Sequence, residues 1–254
     1  MTRHAVTRSI KRLNTPGFLQ IKRKHGKFFI KPSPGPHPGR FCLPLLHIVR
    51  DLLKIVPTHR EAKKLIGLGY FMVDEKIVRD RAFPIGLMDV LSIPKTGKYY
   101  RILPDSHYGL ILHEISEEES KFKLCRIVNK TTVKGGHIQL NLHDGRNILI
   151  RVKDPKNPKE ASSYKRMDVI KISLPEQEIL KHISFKENQI ALIVDGKNIG
   201  QQGKIISILK RFGPKASTVS IQRDDEHTET LYEYTFVIGD DQPEISLPEK
   251  REEN

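Results

Sequence analysis

Four prolines stand at alternate positions in "PSPGPHPG" (32–39), and this run limits the fold more than any other stretch. Proline donates no N–H and its ring fixes φ, so neither a helix nor a central strand passes through it. The run reads as an extended or turn-rich connector that separates a short leading arm from the rest of the chain. Its surroundings are one-sided in charge. From Ile21 to Arg40, six of twenty residues are Lys or Arg and none is acidic.

The bias continues along the chain. The net charge is +14 over 254 residues. Residues 1–42 hold ten basic and no acidic residues, 43–94 hold eight and six, 95–170 hold fifteen and nine, and 171–254 hold eleven and fifteen. Such an excess favours polyanionic partners, and its concentration in an arm is the mark of a nucleic-acid-binding extension. A membrane partner is disfavoured. The most apolar stretch, Leu43 to Val56, is interrupted by His47, Arg50, Asp51 and Lys54, and no amphipathic helix has a broad apolar face. Cys42 and Cys125 form no C-x-x-C pair, so zinc and thiol redox chemistry are not signalled and a reducing, cytoplasmic setting fits. The Arg-rich first 14 residues share the composition of a transit peptide, but the basic character runs well past a cleavage point.

After the proline run the periodicity changes. "LPLLHIVRDLLKIV" spaces Leu45, Ile48, Val49, Leu52, Leu53 and Val56 as a helix, with Pro44 in its first turn and Pro57 as its stop. Thr58 and Glu61 form a capping box for a second helix with Ala62, Leu65 and Ile66 inside, ended by Gly67 or Gly69. "YFMVDEKIV" predicts a hairpin turning at Asp74-Glu75, and "GLMDVLSI" a further strand. "HYGLILHEI" and "KFKLCRIV" flank the polar "SEEES" as a hairpin. "HIQLNLHDGRNILIRV" alternates on both sides of Asp144-Gly145, a preferred two-residue turn. Glycine-punctuated strands from 181 to 240 suggest a small bent barrel, and the acidic end from Asp240 reads as loose. "MDVLSIP" (88–94) and "MDVIKISLP" (167–175) echo one another as two similar strand entries.

The helix from Thr58 carries the best binding pattern. Arg60, Lys63 and Lys64 share one broad face, away from Leu65 and Ile66. A helix N-terminus adds free N–H groups and a positive dipole end, which suits phosphate; a solvated face is the plainer alternative. No catalytic set is evident. The eleven histidines are scattered, and no Ser/His/Asp or Cys/His arrangement has recognisable spacing. "RMD" (166–168) is faintly like the Arg-Leu-Asp of pseudouridine synthases, but Asp168 opens its strand as Asp89 does. No metal or cofactor site is read.

"LLHIVRDLLKIVPTHREAKKLIGLGYFMVDEKIV…MDVLSI" resembles the S-four type RNA-binding domain, with Thr58, Arg60, Ala62, Lys63, Leu65, Ile66, Gly69, Val73, Lys76, Val78 and Asp89 matching. Asp74-Glu75 stands where that family has Asn-Gly, and Phe71 where it has valine. "DGKNIGQQGKIISI" (195–208) resembles a KOW element through Gly196, Gly200, Gly203, Lys204 and Ile205. In this order, and with "IKRKHGK", "PSPGPHP", "PLLHIVRDLLK", "REAKKLI", "FPIGLMDV" and "GKNIGQQGKI", nearly the whole chain resembles the S-four-e family of archaeal and eukaryotic small-subunit ribosomal proteins.

The resemblance implies an α+β, multi-domain chain: a basic arm (1–42), a small α/β S-four-type domain (43–94), a central β-rich domain (95–180), an SH3-like KOW barrel (181–240) and an acidic tail (241–254). It implies a structural, rRNA-binding component of the small ribosomal subunit that is not an enzyme. Its partners would be small-subunit rRNA and neighbouring ribosomal proteins, with no membrane, no cofactor and no homo-oligomer. The expected RNA contacts are Lys11, Arg12, Lys22, Arg23, Lys24, Lys27, Lys31 and Arg40 in the arm. His59, Arg60, Lys63, Lys64 and Lys76 follow in the S-four-type domain, and Lys197, Lys204, Lys210 and Arg211 in the barrel. Phe28 and Phe29 would stack on bases or dock the arm, and the strand-like "KFFIK" favours docking. The alternative is an RNA-binding factor or a pseudouridine-synthase-like enzyme acting transiently on ribosomal or nascent RNA.

Overall fold

The computed structural model describes residues 9–19, 21, 24, 26–106, 109–154, 159–211, 215–223 and 226–248. In the arm, Ser9–Lys11 (β1) pairs antiparallel with Phe28–Ile30 (β2). The strand divides its two phenylalanines: Phe29 is buried and Phe28 is 60% exposed. Phe29 meets the His47 ring edge-on at 5.0 Å, so one ring docks the arm and the other is left outside. The proline run then lies along the body. Ser33 donates its N–H to the Ala82 carbonyl and its hydroxyl to Asp80, and His37 is buried.

Next come Cys42–Pro44 (β3), Leu45–His47 (α1) widening into a π turn over Ile48–Leu52, and His59–Gly67 (α2). Met72–Val73 (β4), Lys76–Ile77 (β5), Pro84–Gly86 (β6), Val90–Ile93 (β7), Lys98–Asp105 (β8) and Gly109–Ile115 (β9) follow. The first helix is shorter than its periodicity suggests. Residues 42–44 are taken up by a ladder from β3 to β6, and Lys54, at φ 51°, stops the helix three residues before Pro57. The second helix starts as expected: the Thr58 hydroxyl accepts the Glu61 N–H at 3.2 Å, and Gly69, at φ 80°, closes the far end. Asp74 and Glu75 both take positive φ, 49° and 63°, the pattern of a primed turn even without Asn-Gly. Asp74 holds it by accepting the Val90 N–H at 2.9 Å. "GLMDVLSI" is not one strand, since Met88 at φ 65° breaks it between β6 and β7.

Five of these strands, β4, β5, β7, β8 and β9, form a sheet ordered β5-β4-β7-β8-β9, in which β7 and β8 pair across the turn at 94–97. β9 pairs along its length with β8, not with the strand after "SEEES". Instead Glu117–Ser120 is a helical turn (α3), because Ser116 caps the Glu119 N–H and the three glutamates favour a helix N-terminus.

The second sheet is built from Phe122–Thr132 (β10), Ile138–Leu142 (β11), Asn147–Ile150 (β12), Val169–Ser173 (β13) and Ile179–Ile183 (β14), with Lys159–Ser162 helical between β12 and β13. Its order is β12-β11-β10-β13-β14. The β11–β12 hairpin forms, but on a three-residue loop. Gly145 donates to the Leu142 carbonyl, Leu142 donates to that of Arg146, and only Gly145 of the Asp-Gly pair has positive φ. Ile190–Ile193 (β15), Gln202–Leu209 (β16), Thr218–Arg223 (β17), Glu226–Leu231 (β18) and Thr235–Gly239 (β19) make the third, ordered β18-β17-β16-β15-β19. A Cβ on Gly203 would stand 2.2 Å from the Gln222 carbonyl oxygen, so the β16–β17 approach requires glycine there. The chain after β19 is not loose up to residue 248. Ile245 is buried, Glu244 pairs with Lys171 and Lys181 at 2.8 and 2.7 Å, and Ser246 donates to Glu119 at 2.7 Å. Tail carboxylates meet strand lysines, and one isoleucine joins the core.

A buried ionic cluster joins the sheets. Lys123 of β10 has a side chain without solvent exposure, 2.9 Å from Asp74 and 3.0 Å from Asp144, and it also pairs with Asp89. Arg146 reaches Asp74 at 2.6 Å and Asp144 at 3.2 Å, and His37 of the proline run meets Asp89 at 2.9 Å. Burial would raise all three carboxylates. Lys123 overrides it at Asp89 and Asp144, bringing Asp144 to about 2 and Asp89 lower still, while Asp74 stays raised. Removing one partner of such a buried group strands the others unpaired, at about 3–5 kcal/mol. Lys123→Met is therefore expected to lower unfolding stability by about 3–5 kcal/mol in chemical denaturation; a loss below about 1 kcal/mol would show that the cluster holds little.

Candidate nucleic-acid interface

α2 is built by its sequence into a two-faced helix. Ala62 and Ile66 are buried, while Arg60, Glu61, Lys63, Lys64, Gly67 and Leu68 line a shallow surface groove. His59 does not add charge to it. Burial, then the neighbouring Arg81, lowers its pKa, and its Nε2 accepts from Arg81 at 2.9 Å. Arg81 is the cation at that position, and it stands in a loop whose sequence has no periodicity to mark it. The loop is fixed by Asp80, which accepts from the Ala82 N–H at 3.0 Å and from Ser33. Two more cations stand by the C-terminal end of the helix. The Lys95 ammonium lies 3.6 Å from the Tyr70 ring centroid, and Arg79 lies beside Gly69. Each is a lone basic residue in a turn or strand end, with no run to announce it.

The other expected contacts lie on separate elements. Lys11, Lys24, Lys27, Lys31 and Arg40 are exposed on the arm and Arg12 is half-buried; Lys22 and Arg23 lie outside the described residues. Lys27 stands over the Phe28 ring and Arg40 over Phe41, at 5.8 and 5.1 Å. Lys76 is exposed on β5. Lys197, Lys204, Lys210 and Arg211 are exposed on the third sheet and its loops, away from the helix in sequence and in sheet. The structure thus gathers Arg60, Lys63 and Lys64 into one groove beside His59, and leaves the others described on the arm, on β5 and on the third sheet with its loops.

Two clusters resembling active or metal centres are committed to structure. The ligand atoms of Cys125, His143 and Asp144 lie within 4.8 Å of one another. However, His143 accepts the Arg126 N–H on Nδ1 and donates to the Leu87 carbonyl from Nε2, and Lys123 occupies Asp144. Asp168 accepts from the Lys165 and Phe185 N–H groups, both at 2.9 Å, and from His182 at 2.8 Å. Asp89 repeats the device: it accepts the Gly86 N–H three residues back and pairs with His37, and in both places a methionine at positive φ precedes the aspartate. The sequence echo "MDV" is therefore one turn used twice, and Asp168 is spent in holding it.

Residues 96–179 match the ribosomal family S4e and residues 5–40 match the RS4NT (NUC023) domain. The chain is 48% identical over 245 residues to a small ribosomal subunit protein eS4 of Ignicoccus hospitalis, covering 95% of each. It is 50% identical over 250 residues to one of Aeropyrum pernix, covering 98% of each. Among solved structures, the 30S ribosomal protein S4e from Thermoplasma acidophilum superposes with a TM-score of 0.66 at 31% identity, over 78% of this chain and 95% of that one.

The half-buried imidazole of His143 gives the fold a pH signature. Burial lowers His143 to about 3, and His59 and His113 shift the same way. The unfolded chain, with histidine near 6.5, then binds more protons, so stability is present above about pH 6.5 and falls as pH drops toward 3. The cluster carboxylates Asp89 and Asp144 add their loss only below about pH 4. Unfolding measured between pH 7 and 4.5 should therefore show a falling stability that His143→Gln flattens; an unchanged slope would place the proton uptake elsewhere.

Proposed function

The chain belongs to the ribosomal family S4e, and from that premise we propose that it grips ribosomal RNA with the α2 groove and the arm as its principal phosphate contacts. It is a structural component of the small ribosomal subunit and not an enzyme. Its partners are ribosomal RNA and neighbouring ribosomal proteins. One observation carries the finer reading: Arg60, Lys63 and Lys64 converge on a single exposed groove on the first two turns of a capped helix, with Arg81 held beside its start. Side-chain cations, first-turn N–H groups and the helix dipole then act on the same phosphates. Such contacts position the protein on RNA by charge and shape.

The arm extends the same logic. Lys11 lies on the β1–β2 strand pair and Lys27 and Lys31 flank it, while Phe29 of the same pair is fixed in the body. On this reading residues 43–94 act as the S-four-type unit and 95–180 as the central unit, whose β8 and β9 complete the first sheet, and the strands from β15 to β19 act as a KOW-type barrel presenting Lys197, Lys204, Lys210 and Arg211. The chain acts as a single copy within the subunit, without a membrane.

The test is a salt series. Log K for binding small-subunit rRNA should fall linearly with log salt, and alanine at Arg60, Lys63 and Lys64 together should weaken binding and flatten that slope by about one unit per lost phosphate contact. All three are exposed, so melting should not change. An unaltered slope would mean that the groove faces only solvent.

A further inference from the structure

A second surface is left unused by this reading: the outer face of the β10–β11–β12 sheet. Register fixes which residues share it. Asn129, Asn141 and Asn147 stand in line across the three strands, and Gln139 stands opposite Leu149. Ile138, Leu140 and Leu142 alternate onto the other, buried side. Gln139 donates to Asn141 at 2.8 Å, which ties two of these amides, and the Asn129 oxygen accepts the Lys130 N–H at 2.8 Å. Leu149 is 49% exposed among them, and Arg151 is exposed at the end of the row.

The charge around this face is equally one-sided. The 33 residues from Lys121 to Lys153 hold eight basic residues and one acidic residue, Asp144. Asp144 is buried and paired with Lys123 and Arg146. No carboxylate of the segment therefore reaches the surface; Lys134, Arg151 and Lys153 are exposed at its open end, where Asp154, the next residue, is an exposed carboxylate beside them. A polar face of this kind is suited to a particular polyanion. Asn and Gln both donate and accept, which matches hydroxyls that do the same. The shallow minor groove of an A-form RNA helix displays rows of ribose 2′-hydroxyls between phosphate ridges.

We infer that the outer face of β10–β12 is a second RNA-docking surface, which seats the ribose-lined minor groove of a duplex RNA on its amide row with Arg151 and Lys153 at the phosphate edge. The inference rests on the RNA-binding reading above but uses different residues and a different contact. Leu149 lies against the sugar edges, where an apolar side chain meets no charge. Lys130 does not take part, since its ammonium turns inward to the Ala161 and Tyr164 carbonyls.

The experiment uses the full chain with Gln139→Glu and Asn147→Asp combined, which keeps shape and adds two charges, and separately Arg151→Ala. Binding is titrated against an RNA duplex taken from small-subunit rRNA and against the same sequence as DNA, with the Arg60/Lys63/Lys64 alanine variant in parallel. Like charge placed against phosphate is costly, so the double variant should bind the RNA duplex about tenfold or more weakly. It should also lose most of the preference for RNA over DNA, while its melting temperature stays the same. Arg151→Ala should weaken both duplexes alike. If the face variants bind RNA as the parent does while the α2 variant is weakened, the face is not an RNA surface and the reading of the groove stands. If neither set changes binding, both readings fall. Unchanged binding to RNA, together with poor incorporation into whole subunits, would assign the face to a protein neighbour and overturn the inference. A double variant that melts early would be replaced as evidence by Arg151→Ala, whose failure to weaken either duplex would equally count against it.

Discussion

The ammonium group of Lys123 sits where a charge is most expensive to place, and the fold is arranged around neutralising it. Three carboxylates come to it from three places: Asp74 from the β4–β5 turn, Asp89 from the corner before β7, and Asp144 from the β11–β12 loop. None is near another in sequence. Arg146 and His37 close the remaining sides. Each carboxylate is buried and would resist ionisation alone, so the pieces are stable only together. Two local features follow. Asp74 tolerates a left-handed backbone because both its oxygens are held, and Asp144 is kept in the cluster rather than at the tip of a two-residue turn. Gly86 is required for a related reason, since a Cβ there would lie 2.3 Å from the His37 ring.

The cluster also connects the arm to the body. The proline run is rigid in φ and has few N–H groups to satisfy, so it can cross a surface cheaply. His37 at Asp89 and Ser33 at Asp80 fasten it at two points. The second of these holds the loop that carries Arg81 to the start of α2. The cationic face is thus positioned by the same contacts that bury the linker. Two apolar clusters support the arrangement. One joins the arm, both early helices and the first sheet; the other joins Met88, Leu103 and Leu124 to the third sheet.

Local signals in the sequence were reliable where local chemistry decides the structure. The Thr58 cap, the closing Gly69, the β11–β12 alternation and the inward turn of one phenylalanine in "KFFIK" are each settled by a few neighbouring residues. Pairing between distant strands was not legible. "HYGLILHEI" has equal claims on either neighbour, and the capped acidic turn at 116–120 decides in favour of β8. Nor does composition reveal that Glu244 finds Lys171 and Lys181, or that Lys123, Asp74, Asp89 and Asp144 are buried, because a buried charge looks like a surface charge until its partners are in place. The same limit applies to the interface. Arg60, Lys63 and Lys64 share a helix and could be grouped from spacing, whereas Arg79, Arg81 and Lys95 reach the helix only through tertiary contacts.

If the buried cluster makes the sheets and the linker one cooperative unit, they should open together. Native-state hydrogen exchange across a denaturant series measures this directly. The amides of Ser33, Asp74, Val90, Ile127 and Leu142 lie in the linker, the first sheet and the second. They should converge on one opening free energy equal to that of global unfolding. A second sheet that exchanges through its own, much lower opening while the first stays protected would contradict the account, and would reduce the Lys123 cluster to a local contact between independent parts.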